Sequence, residues 1–110
     1  MKLVKAIIRP NKVDDVRAVL EELSLGGMTV SDVRGHGRQK GHTAVYRGKE
    51  YEVSLLPKVQ IELVVTDGVV EDVISAIAKA ARTGEIGDGR VFVMPVGHSF
   101  NIRTGEQDTM

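Results

Sequence analysis

The chain has 110 residues, with 15 acidic and 15 basic side chains and no cysteine. That length suits one domain over 1–110 with a real core and no separate catalytic module. Without cysteine there is no disulfide framework, thiolate metal site or cysteine nucleophile, and balanced charge argues against coating nucleic acid or anionic lipid by bulk attraction. Any anion site must therefore be local. No stretch approaches the roughly 18 apolar residues of a membrane span. The opening Met1–Pro10 is interrupted by Lys5 and lacks a small-residue cleavage pattern, so it reads as a strand rather than a secretion signal, and cytosol is the default location.

Leu3 to Ile8 is a short apolar run closed by Arg9-Pro10, the pattern of a buried strand. Asn11 is placed to cap a helix whose Val13, Val16, Leu20 and Leu23 share one face, with Asp14 and Asp15 in the first turn where the dipole favours them. Gly26-Gly27 is the expected stop. Met28 to Arg34 sets Met28, Val30 and Val33 among polar residues as a second strand.

The segment Gly35-His-Gly-Arg-Gln-Lys-Gly-His-Thr-Ala-Val-Tyr-Arg-Gly-Lys-Glu-Tyr51 follows, with little apolar periodicity. A connection of that length in a small domain is usually functional or disordered. Its glycines, Arg38, Lys40, Arg47, Lys49 and two tyrosines offer backbone N–H groups, cations and phenols together, which suits anions and partner surfaces. After Pro57, Val59, Ile61, Leu63 and Val65 alternate with Gln60 and Glu62 in a third strand. Asp67 is placed to cap a second helix carrying Val70, Val73, Ile74 and Ile77, which Gly84 is expected to end. Val91 to Val96 is a fourth strand, and Phe100 to Arg103 a candidate fifth.

The order βαββαβ predicts an α+β, ferredoxin-like sandwich with two helices on one face of an antiparallel sheet. Both parities of the strands are largely apolar: Val4, Ala6 and Ile8 oppose Leu3 and Ile7, and Phe92, Met94 and Val96 oppose Val91 and Val93. The helix-free face is thus expected to pack against further copies, with Glu62 at or near that interface in need of a hydrogen-bonding partner.

Two glycine clusters carry the chemistry. Gly35-x-Gly37-x-x-x-Gly41 misses the dinucleotide fingerprint by one position and leads into a loop, so a Rossmann reading fails. Glycines that merely permit positive φ are the plain alternative there. In Thr83-Gly-Glu-Ile-Gly-Asp-Gly-Arg90, Gly84 needs no role beyond a helix stop, whereas Gly87 and Gly89 flanking Asp88 let backbone amides approach a phosphate to which Arg90 brings charge. His36, His42 and His98 lack metal-ligand spacing, and no nucleophile, base and orienter stand together in the sequence.

Gly35-x-Gly-Arg-Gln-Lys-Gly-His-Thr-x-x-Tyr-Arg-Gly-x-Glu-Tyr51, Thr83-Gly-x-Ile-Gly-Asp-Gly89 and Ile102-Arg-Thr-Gly-Glu106 resemble the signature segments of the PII nitrogen-regulatory signal proteins. The likeness runs through Met28-Thr-Val and Pro57-Lys-Val and covers essentially the whole chain. It implies a non-enzymatic homotrimer that binds ATP or ADP in clefts between subunits, with residues 36–56 projecting as a partner-binding T-loop and 82–90 forming the nucleotide loop. The nucleotide site it implies comprises Thr29, Gly35, Gly37, Arg38, Gln39, Glu62, Val64, Ile86, Gly87, Asp88, Gly89, Arg90 and Arg103. Within it, Gly87, Gly89, Arg90, Arg38 and Arg103 hold phosphates, and Thr29, Glu62 and Val64 line the adenine and ribose. The family also binds 2-oxoglutarate beside Mg-ATP, here implying Gly37, Gln39, Lys40, Gly41, Lys58 and Gly87, with Gln39 meeting Mg²⁺ and Lys58 a carboxylate.

Tyr51 occupies the position uridylylated in some members, an ordinary partner-contacting tyrosine being the alternative. Lys49 stands where other members have a phosphorylated serine, so that modification is excluded. Asn101 replaces a common arginine and His36 a common aromatic residue. Partners implied by the resemblance are an ammonium transporter at the cytoplasmic membrane face or nitrogen-metabolism enzymes, without nucleic acid and without membrane insertion. An acylphosphatase-like enzyme using Arg38 or Arg90 is the rival on the same fold. An RNA-binding module of this topology would stack bases on strand aromatics, and Phe92 and Tyr46 make no such platform.

Overall fold

The computed structural model describes residues 1–25, 27–35, 43–46, 49–52 and 55–108. Strands β1 (Lys2–Ile8), β2 (Thr29–Gly35), β5 (Leu56–Val65) and β6 (Gly89–Pro95) form an antiparallel sheet in the order β2-β5-β1-β6. Helices α1 (Val13–Glu22) and α2 (Val70–Ala81) pack on one face, as a ferredoxin-like α+β fold requires. Between β2 and β5, strands β3 (Thr43–Tyr46) and β4 (Lys49–Glu52) pair as a separate two-stranded ribbon. That ribbon lies inside the long connection, where the sequence shows no strand periodicity.

The core is the even parity of β1 and the odd parity of β5 under the two helices. Val4, Ala6 and Ile8 pair with Leu63, Ile61 and Val59, and this layer meets Val16 and Leu20 of α1 and Val70, Val73, Ile77 and Ala81 of α2. Burying each of the larger side chains contributes roughly 1.5–3 kcal/mol, enough to hold helices too short to persist alone in water.

The opposite face carries Leu3, Lys5 and Ile7 of β1, Gln60, Glu62 and Val64 of β5, and Arg90, Phe92 and Met94 of β6, aligned in rows by the strand register. Phe92 and Met94 are 44% and 37% exposed, which leaves an apolar surface that no helix covers.

The ends of the elements depart from expectation. Asn11 does not cap α1: Pro10–Lys12 form a 3-10 turn that feeds the helix without a side-chain cap. Asp67 does not cap α2 either, because its carboxylate takes the Met1 amino group at 3.0 Å and Lys2 at 3.5 Å while Asp67–Val69 make a second 3-10 turn. The chain leaves α1 at Ser24, whose φ of 60° is left-handed, before Gly26-Gly27 is reached, and Leu23 is consequently 40% exposed. Helix α2 stops at Ala81 because Arg82 turns extended, so Gly84 belongs to the next loop.

The candidate fifth strand is absent. Phe100 makes only an isolated bridge with Gln107, and residues between them turn back on themselves.

Candidate functional site

Loop 83–89 joins α2 to β6, and the Asp88 carboxylate is its centre. Oδ2 accepts the Thr83 and Gly84 amides, each at 2.9 Å, and Oδ1 accepts the Thr83 hydroxyl and, at 3.1 Å, Arg9 Nε. The Thr83 hydroxyl oxygen in turn accepts the Glu85 amide. Burial would raise the Asp88 pKa, but the Thr83 hydroxyl, the two amides and Arg9 outweigh it and hold the carboxyl well below the usual carboxylate range. Asp88 is therefore an anion at any physiological pH, and its oxygens face inward to the loop and to Arg9.

The sheet grips the same loop from below. Arg9 Nη2 donates to the Ile86 carbonyl at 3.1 Å, and Lys58 Nζ donates to the Gly87 carbonyl at 2.6 Å. Gly89 sits so close to β1 that a Cβ there would lie 1.8 Å from the Ile7 carbonyl oxygen. Gly87 and Gly89 both have positive φ, 101° and 116°. Lys58 is buried, and a Cβ at Gly35 would meet its stem at 3.1 Å, so β2 confines the lysine against the loop. Burial lowers the Lys58 pKa, the Arg9 charge acts in the same direction, and Asp88 opposes both.

The expected site residues divide into groups. Gly35, Lys58, Ile86, Gly87, Asp88, Gly89 and Arg90 come together at the end of the sheet where β1 finishes. Thr29 and Glu62 are register partners on the helix-free face, with Val64 beyond them. Gln60 supplies the hydrogen bond Glu62 needs, to its Oε1. From Arg90 on β6 to Thr29 on β2 is three strand spacings and one two-residue step, roughly 16 Å of sheet.

Arg103 belongs to a hairpin over 98–108, attached at the other end of β6 from Arg90. Asn101 organises it, its Oδ1 accepting the Arg103 and Thr104 amides at 2.9 and 3.3 Å. Gly37, Arg38, Gln39, Lys40 and Gly41, with His36 and His42, lie outside the described residues. Tyr51 falls in β4, in register with Ala44. Among the described residues no cluster of three side chains could hold a metal ion, and no helix is long and apolar enough to cross a membrane.

Sequence reasoning missed Arg9, and it placed Thr83 in the 82–90 loop without the role of binding Asp88. That role could have been found from the spacing of Thr83 to Asp88 within one glycine-rich turn; Arg9 reaches Asp88 across 79 residues and carries no local signal. A groove of about 340 Å³ between α2 and β6, floored by Ile74, Ile77 and Val91 with Arg82 and Arg90 at its edge, adjoins the loop on the helix side.

Comparison with known proteins finds relatives along nearly the whole chain. The family model described as nitrogen regulatory protein P-II matches residues 1–106. The nitrogen regulatory protein P-II of Klebsiella oxytoca is 56% identical over 108 residues, which are 98% of this chain and 96% of the relative. That of Rhizobium etli is 52% identical, covering 99% and 97%, and P-II 1 of Escherichia coli K12 is 55% identical, covering 98% and 96%. With the ferredoxin-like fold and these matches from end to end, the chain belongs to the nitrogen regulatory protein P-II family and is a regulatory signalling protein, not an enzyme.

Proposed function

We propose that this protein senses ATP or ADP together with 2-oxoglutarate, and reports the result to proteins of nitrogen assimilation through residues 36–56. The observation that carries the reading is the orientation of loop 83–90. Its Ile86 and Gly87 carbonyls are turned toward Arg9 and Lys58. In a trans peptide N–H points opposite to C=O, so the Gly87 and Asp88 amides face away from the sheet. Neither amide has a partner among the described residues. Outward amides of Gly87 and Asp88, flanked by positive-φ Gly89 and followed by Arg90, make a concavity suited to phosphate.

Thr29, Glu62 and Val64 are too far along the face to meet the same nucleotide comfortably from the same subunit, and Arg103 hangs from the other end of β6. A second copy that brings its own base-side residues and 98–108 hairpin against the first copy's loop completes the site. Such a head-to-tail contact closes into a ring, which fits a homotrimer assembled through the apolar helix-free face.

Lys58 fits a carboxylate of 2-oxoglutarate: its ammonium has three donors, and Gly87 takes one. Mg²⁺ has no direct ligand cluster among the described residues. It would be held by the nucleotide phosphates and Gln39, where it neutralises charge between phosphate and effector. Residues 36–56, with Tyr51 as a contact residue, respond by population shift: effectors change target affinity only by binding one loop state better than another. An ammonium transporter approached from the cytoplasm, or enzymes of nitrogen metabolism, are the targets this reading favours.

Isothermal titration of the purified protein with ATP and ADP, with Mg²⁺ and with or without 2-oxoglutarate, tests it. Binding of 2-oxoglutarate that requires Mg-ATP is the expected result. Absence of any nucleotide binding would sink the proposal while leaving family membership intact.

A further inference from the structure

Arg9 follows β1 directly and, among the described residues outside loop 83–89, is the one side chain that hydrogen-bonds the loop at two separate points, the Asp88 carboxylate through Nε and the Ile86 carbonyl through Nη2. The two contacts do different work. Asp88 has three other donors from Thr83 and Gly84, so its place in the loop does not depend on Arg9. The Ile86 carbonyl accepts a hydrogen bond from Arg9 and from no other described group.

That carbonyl belongs to the peptide unit whose N–H is the Gly87 amide. Glycine tolerates backbone conformations on both sides of φ = 0, and Gly87 has φ of 101°, so the Ile86–Gly87 peptide is a plane that can turn over at small steric cost. In one orientation its N–H faces outward beside that of Asp88; in the other a carbonyl dipole faces outward and repels an anion. The next plane, Gly87–Asp88, is held by Lys58. Two cations from the sheet thus hold consecutive carbonyls, and Arg9 governs the one closer to the loop tip.

We propose that Arg9 is a positioning residue for the anion-binding loop: its forked contact selects the orientation of the Ile86–Gly87 peptide in which the Gly87 amide faces the bound phosphate. The inference rests on the reading of loop 83–90 as the phosphate site. The fork matters because guanidinium presents two N–H groups in fixed geometry to two acceptors, whereas lysine supplies a single point charge.

The test compares wild type, Arg9→Lys and Arg9→Gln by titration with ATP, by amide ¹⁵N shifts without nucleotide, and by thermal melting. If the outward peptide falls to a tenth of the population in Arg9→Gln, ATP affinity drops about tenfold, since apparent affinity scales with the competent fraction. Arg9→Lys is expected between the two. The Gly87 and Asp88 amide shifts should move in both variants while those of Arg103 and Thr104 in the far hairpin stay put; a merely structural role would lower the melting temperature without that selectivity.

Arg9→Gln binding ATP within about twofold of wild type, or Arg9→Lys matching wild type in both affinity and Gly87 shift, would overturn the proposal. If wild type itself binds no nucleotide, the phosphate reading fails, and the Gly87 and Asp88 shifts in Arg9→Lys still decide whether Arg9 orients that peptide.

Discussion

Loop 83–89 and hairpin 98–108 are both built around one short side chain that accepts successive backbone amides, Asp88 in the first and Asn101 in the second. They differ in what else holds them. Asp88 is tied to the sheet by Arg9, its neighbours' carbonyls are held by Arg9 and Lys58, and Gly89 lies against the β1 backbone. The hairpin is tied mainly to itself: Ser99 Oγ donates to Asp108 Oδ2 at 2.6 Å, Gln107 meets His98 Nδ1 at 3.0 Å, and His98 stacks on Phe100. Its Ile102 is fully exposed and Phe100 is 61% exposed. One loop is preorganised by the fold; the other is a self-contained unit that leaves its apolar side chains exposed.

The contrast is broken most forcefully at Gly89. Alanine there needs both a φ of 116° and a Cβ that overlaps the Ile7 carbonyl, and the obstacle is the backbone of a strand paired on both sides. Gly89→Ala is expected to cost about 3 kcal/mol or more, a fall in Tm above about 12 °C. Gly105, in the hairpin, has φ of 70° with open space around it, so Gly105→Ala should cost only about 1–2 kcal/mol. Melts of equal Tm for the two variants would mean that the loop is not locked to β1 as described.

A smaller effect distinguishes the two organising residues by charge. The Asp88 carboxyl is held below its unfolded value of about 3.9, so its contribution is complete above about pH 4 and is lost as pH falls further, through the folded value. Thr83 and Gly84 amide shifts should stay flat between about pH 6 and 3.5, and a midpoint near 4 would contradict the network. Asp88→Asn keeps an acceptor but loses the anion that Arg9 faces. It should cost about 2 kcal/mol in urea unfolding and abolish any acid dependence of those amides.

The elements were legible where periodicity decides them, and their ends were not. Alternation in Val59–Val65 and the helical face of Val70, Val73 and Ile77 report burial directly, and these residues are core. Capping at Asn11 and Asp67 failed because the choice depends on what the side chain meets elsewhere: Asp67 meets Met1 and Lys2, which no local window contains. The same reason hid Arg9, whose acceptors lie 77 and 79 residues away. Phe100–Arg103 read as a candidate strand, but Phe100 and Ile102 are exposed in a hairpin whose turn is set by Asn101. In the cluster 83–90, Gly87 and Gly89 have the special backbone expected of them, yet only the structure shows that Gly89 is required by a close approach and Gly84 by a turn; Gly37 and Gly41 of the other cluster lie outside the described residues.

Asn101 carries the smallest expected effect and the sharpest local one. Its side chain satisfies the Arg103 and Thr104 amides, while its backbone accepts Gly105 N–H at 2.7 Å and donates to Glu106 O at 2.9 Å. Alanine keeps the backbone pair and removes both side-chain bonds, an exposed capping loss of about 1 kcal/mol. Because the hairpin has few ties to the core, that loss should appear as faster hydrogen exchange at Arg103 and Thr104 with almost no change in global melting. A substantial fall in Tm would show that the hairpin is coupled to the rest of the molecule. Under the homotrimer proposed above, comparing exchange at high and low protein concentration would tell coupling through a neighbouring subunit from coupling within the chain.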